Sequence, residues 1–268
     1  MPNELITASS RELATELTAY DEKMLSVFEY LGLPTNNILV KVDERRKVFK
    51  NIEDVLEPLS SETLETSTYI SKFLSAVSAG LFDAALNYLW DETVSQLRFR
   101  VSQYDIQYFF DLAVTSDKRT KLSTEDDLVK IDDSELIQGA KEIGLISDIG
   151  YRLLDNIKFM RNWASAAHPN QVELTGLQLI DWLETCIKEV ISLPLSNLTI
   201  QIGKLLRNIK TNTLDEAEAE TISNFFCELT SEKANSLCNG FFGIYCRIDT
   251  TSDTKRNIKL LLPKLWYL

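Results

Sequence analysis

Apolar residues in this chain recur at steps of three and four along most of its length, and that period leaves few architectures open. Between residues 81 and 101, Phe82, Ala85, Leu86, Leu89, Trp90, Val94 and Leu97 fall on one stripe of a helical wheel. Leu13, Leu17, Tyr20, Met24, Phe28 and Leu31 form a second stripe, running to the stop at Gly32-Leu33-Pro34. A half-buried strand needs apolar residues at alternate positions between turn signals, and no long run of that kind occurs. The expected fold is therefore all-α, a helical bundle.

The punctuation divides this pattern into elements. Ser9 and Ser10 can cap the first helix, and 42–56 is a second that ends near Pro58. A third is expected from the Ser60-Ser61 cap to Gly80, with Leu64, Tyr69, Phe73 and Val77 inward. Helix continues over 103–114; a charged connection spans 116–125; shorter helices follow at 125–130 and 133–142, broken at Gly144. Ser147-Asp148 then caps a long helix whose stripe reads Ile149, Leu153, Ile157, Met160, Ala164 and Ala167. The next, 171–191, places Leu174, Leu177, Ile180, Leu183, Ile187 and Val190 inward. Segments at 197–209, 214–229 and 231–247 precede a basic amphipathic end from Thr254. The last nine residues, 260–268, are apolar enough to pack against the body or a partner.

Composition narrows the function classes. With 44% hydrophobic and 25% charged residues, the chain is a folded, helix-rich protein. The start Met1-Pro2-Asn3-Glu4-Leu5 lacks a basic, apolar leader, and no stretch reaches the roughly 18 apolar residues of a membrane span, so a cytoplasmic, membrane-free protein is expected. Cys186, Cys227, Cys238 and Cys246 make no C-x-x-C pair and read as buried, reduced thiols. The acidic groups Asp91-Glu92, Glu125-Asp126-Asp127 and Asp132-Asp133 read as solvated helix faces, since adjacent carboxylates point about 100° apart. No metal and no cofactor is expected, and phosphate-loop, dinucleotide and H-E-x-x-H signatures are absent. A net charge of -12 opposes loose binding to any polyanion, so nucleic-acid contacts would have to be local.

The one histidine, His168, stands seven residues after Arg161 in the string Arg-Asn-Trp-Ala-Ser-Ala-Ala-His-Pro-Asn. On a helix that spacing puts both on one face, roughly 10 Å apart along the axis. Both are expected about 70 to 90° off the long helix's stripe, at the edge of a packed interface. Pro169 sets His168 at or near the helix C-terminus. An imidazole with pKa near 6.5 can take or give a proton at neutral pH, and a guanidinium is a permanent fork of donors for a phosphate that gains charge. Asn162 is expected to orient Arg161 or to bond across an interface. On the helix at 81–101, Asn87 and Asp91 lie one turn apart on a polar flank, and Ser165 falls between Arg161 and His168. In the bland reading of the same residues, His168 caps a helix and Arg161 covers apolar surface with its stem.

The R-x6-H string, with Asn162 behind the arginine at the end of a long helix, resembles the HEPN family (higher eukaryote and prokaryote nucleotide-binding domain), whose ribonuclease members carry R-x4-6-H. The helix 80–92 looks like the second core helix of such domains. The resemblance implies a helical core at 60–195, with helical extensions at 1–59 and 196–268. It implies a metal-independent endoribonuclease that leaves a 2′,3′-cyclic phosphate on RNA, with Arg161 and His168 catalytic and Asn162, Asn87, Asp91 and Ser165 in support. It also implies a homodimer whose paired motif helices supply two histidines, and, for prokaryotic members, a toxin or phage-defence effector, with room for an inhibitory or sensor protein partner. Asn170 stands where the toxins neutralised by nucleotidyltransferase partners carry a tyrosine. The alternative is a non-catalytic helical module that binds RNA, a nucleotide or a partner protein.

Overall fold

A computed structural model describes residues 10–164, 173–193, 197–227 and 229–266. Among these residues every regular element is helical and no strand occurs. The fold is all-α. The chain forms two compact units, Met1–Ser95 with Leu153–Leu193, and Gln96–Arg152 with Pro194–Leu268, and the division falls inside two helices.

The first unit contains α1 (Ser10–Tyr30), α2 (Val42–Leu56), α3 (Ser61–Thr66), α4 (Thr68–Ser78), most of α5 (Phe82–Ser102), most of α9 (Asp148–Ala164) and α10 (Gly176–Cys186). Helix α10 packs closely on α2, because Gly176 has no side chain at the contact: a Cβ there would stand 2.0 Å from the Glu44 carbonyl oxygen. The Gly176 N–H donates to Glu44 Oε2 at 2.8 Å, and Glu44 is held below its ordinary pKa, first by its bond from Lys47 and then by this amide. All seven residues of the 81–101 stripe are buried, as the period predicts.

The expected single helix over 60–80 is two. Ser67 breaks it by accepting from the Ile70 N–H at 3.3 Å as the cap of α4, while its hydroxyl donates to Glu92 Oε2 at 2.7 Å. Leu64 is thus left exposed and the inward set becomes Ile70, Phe73, Ala76 and Val77. Glu92 is itself 3% exposed, so the Asp91-Glu92 pair is not a solvated face. In α10 the inward line runs through Leu179 and Leu183, and Leu177 faces out at 57% exposure, because the seat of Gly176 on α2 sets the helix's rotation. In α9, Ile149 and Leu153 are exposed, whereas Leu154 and Ile157 are buried. The helix carries two apolar stripes, and periodicity alone does not choose between them.

The second unit contains the rest of α5 and α9 with α6 (Ile106–Ala113), α7 (Ser116–Arg119), α8 (Asp133–Glu142), α11 (Asn197–Thr211), α12 (Glu216–Phe226), α13 (Ser231–Cys246) and α14 (Ser252–Trp266). Helix α6 packs between α8 and α13, and Gly240 of α13 lies so near Tyr108 that a Cβ would come within 1.8 Å of its ring. Helix α14 buries Ile258, Leu261 and Leu265 and packs on α11, α12 and α13, so the apolar end finds its partner inside its own unit. Asn257, fully buried, fastens it there: its amide donates to the carbonyls of Ile209 (2.9 Å) and Asn212 (2.6 Å) and accepts from the Leu214 N–H (2.9 Å). Two expectations change in this unit. Asp127 is buried as an acceptor for the N–H groups of Ser123 and Thr124, and Cys227 and Cys246 are exposed, whereas Cys238, and Cys186 in the first unit, are buried.

Candidate functional site

Arg161 lies in the last turn of α9, in line with Leu154 and Ile157 on the face that the helix buries. On a wheel of about 100° per residue these three share an arc of about 60°, so the half-buried guanidinium continues the packed stripe. Its Nε donates to Asn87 Oδ1 on α5 at 2.9 Å, and its Nη1 donates to Asn162 Oδ1 at 3.1 Å. Asn87 is anchored in turn, because its amide nitrogen donates to the Asp83 carbonyl one turn back at 2.9 Å. That bond orients the side chain so that the oxygen faces the arginine.

Both acceptors are neutral, which distinguishes Arg161 from the other well-held arginines. Arg45 pairs with Asp21, and Arg119 with Asp111, whereas Arg161 makes no ion pair among the described residues. Two amides fix its position without cancelling its charge, so its fork remains available to an oxyanion. Asp91, half-buried, follows Asn87 by one turn of α5. His168 and Ser165 lie outside the described residues.

The opposite side of α9 carries exposed aromatic groups: Phe159 is 52% exposed and Trp163 36%, with their ring centroids 5.6 Å apart, and Leu153, 41% exposed, lies at the edge between this side and the buried one. Phe159 and Trp163 each stand two residues from Arg161, about 200° around the helix, so they are not part of its anion site. The link between Arg161 and Asn87 joins residues 74 apart in sequence. Its one sequence-level sign is the polar flank of an otherwise apolar helix. Comparison with family models, with curated proteins and with solved structures found no match for this chain.

Proposed function

We propose that this chain is a metal-independent endoribonuclease of the HEPN type, in which Arg161 holds the scissile phosphate and His168 transfers the proton. The observation that carries the reading is the arginine held by Asn87 and Asn162 with no carboxylate partner among the described residues. A guanidinium in that setting stabilises a pentavalent phosphate without first breaking an ion pair. Asn162 and Asn87 orient it, and Asp91 and Ser165 are assigned supporting roles in the same reading. The exposed apolar side of α9 supports a homodimer, in which a second copy covers Leu153, Phe159 and Trp163 and contributes its own histidine. A growth-arresting toxin or phage-defence effector, restrained by an inhibitory or sensor partner, is the setting in which such an activity serves a cell.

The test is induced expression of the wild-type chain, His168→Ala and Arg161→Lys side by side, with growth curves and total RNA on denaturing gels. Growth arrest and RNA fragments ending in 2′,3′-cyclic phosphate are expected from the wild type alone. Arg161→Lys keeps the charge and loses the fork, for a fall of roughly 10²-fold or more in cleavage. Equal growth and equally intact RNA in all three strains defeats the reading.

A non-catalytic helical module is the second reading. It is favoured by the charge of the first unit, where acidic residues outnumber basic ones by about two to one. It requires that His168→Ala leave function intact.

A further inference from the structure

The second unit contains a cleft of about 370 Å³ between the turn joining α5 to α6 and one face of α11. Tyr104, Asp105 and Gln107 form one wall, and Gly203, Arg207 and Lys210 the other. This volume lies within the range of small-molecule sites.

The charge around the cleft is positive, in a chain that is acidic as a whole. Lys210 pairs with Asp105, while Arg207 is exposed and its side chain makes no hydrogen bond or ion pair among the described residues. Behind the wall, Gln107 Oε1 accepts from both Arg119 Nη2 at 2.7 Å and Arg247 Nη1 at 2.6 Å, so two guanidinium groups are held within one hydrogen bond of the same atom. A single carboxylate, Asp111, answers both, at 2.6 Å from Arg119 and 3.7 Å from Arg247. The Nε of Arg247 is buried and has no acceptor among the described residues. At the cleft itself Arg207 and Lys210 stand against one carboxylate, Asp105, while Arg119 and Arg247 behind the wall share Asp111. Like charges brought together repel unless an anion joins them, and the lining of the cleft has one cation in excess to offer it.

We propose that this cleft binds a small phosphate-bearing molecule, with the phosphate seated on Arg207 and Lys210 and the remainder against Tyr104 and Gly203. A phosphate supplies the negative charge that Asp105 alone does not, and the cleft has room for more than a bare ion. The proposal does not depend on the ribonuclease reading, since every residue in it lies outside the unit that holds Arg161.

Calorimetric titration of the full chain with adenosine monophosphate and with inorganic phosphate tests it, with adenosine as the uncharged control. Binding of the phosphate compounds and not of adenosine is expected. Arg207→Gln removes an exposed, unpaired cation and is expected to weaken binding by about tenfold or more. In Gly203→Leu, the Cβ would meet the Tyr104 ring at an ordinary 3.5 Å, so the helix is expected to fold while the rest of the side chain fills the cleft and abolishes binding. Arg256→Gln, on the exposed face of α14, is expected to bind as the wild type does. Silence of both phosphate compounds at millimolar concentration overturns the proposal. So does binding that survives Gly203→Leu in a variant with a wild-type helical spectrum, or that is lost in Arg161→Gln and kept in Arg207→Gln.

Discussion

Arg45 is where the packing of the first unit can be tested with a number. Its side chain is fully buried and reaches three places at once. It bonds both carboxylate oxygens of Asp21 on α1 (2.8 and 2.7 Å), the Val40 carbonyl (2.8 Å) and the Ser78 carbonyl (3.1 Å). Gly80, at φ 73°, closes over it: a Cβ there would stand 2.5 Å from Nη2, so the turn needs glycine both for its left-handed backbone and for this approach. Helix α1 depends on the pair, because Leu17 is its one buried side chain among those described.

Arg45→Met keeps most of the volume and strands the acceptors. Removing one partner of a buried pair costs about 3–5 kcal/mol when the other stays buried. Asp21 is 17% exposed and recovers part of that from water, while two carbonyls lose charged donors at about 1 kcal/mol each. The expected net loss is about 3–4 kcal/mol. Urea unfolding followed by tryptophan fluorescence measures it, since Trp90 and Trp182 are buried in the same unit. In Arg45→Met with Asp21→Leu the stranded carboxylate is gone, so the double variant is expected to fall about 2 kcal/mol short of additivity. A single variant within 1 kcal/mol of wild type, or strictly additive losses, refutes the reasoning.

Other outcomes follow from the same packing. Asn257→Leu strands the buried Leu214 N–H and the Ile209 carbonyl, for a loss of about 2–4 kcal/mol in chemical denaturation. Gly240→Ala and Gly203→Ala are expected to shift the melting temperature in opposite directions, the first down because of the Tyr108 ring and the second up because helix propensity improves at an ordinary contact. At pH 8, iodoacetamide followed by mass spectrometry is expected to mark Cys227 and Cys246 first. Burial pushes the Cys186 thiol up to about 12, so at pH 8 very little of it is the reactive thiolate, and the side chain is out of the reagent's reach. Fast labelling of Cys186 in the folded protein at pH 8 would contradict its placement.

Much of the helical plan was legible in the residues because it rests on local physics. The period of 3.6, the Ser, Thr and Asp caps and the glycine stops act over a few residues, and α2, α5 and α8 appear where these signals place them. Leu81's neighbours over 82–97 show the stripe at its clearest. Spacing and residue type also single out Arg161 and the asparagine beside it as the residues on which the proposed function rests.

Rotation and pairing were not legible, because they depend on contacts between residues far apart in the chain. Helix α9 has two apolar stripes of similar strength, and the packing of Leu154 and Ile157 turned the Ile149 and Leu153 side outward. Ser67 reads as one more residue of a Ser/Thr-rich helix until Glu92, 25 positions on, is brought to its hydroxyl. The same holds for the arginine that opened the functional argument. Sequence supplied its type and its place on a helix, while the fold put Asn87 beside it, gave it no carboxylate partner among the described residues, and so decided that its charge is held in position by neutral groups.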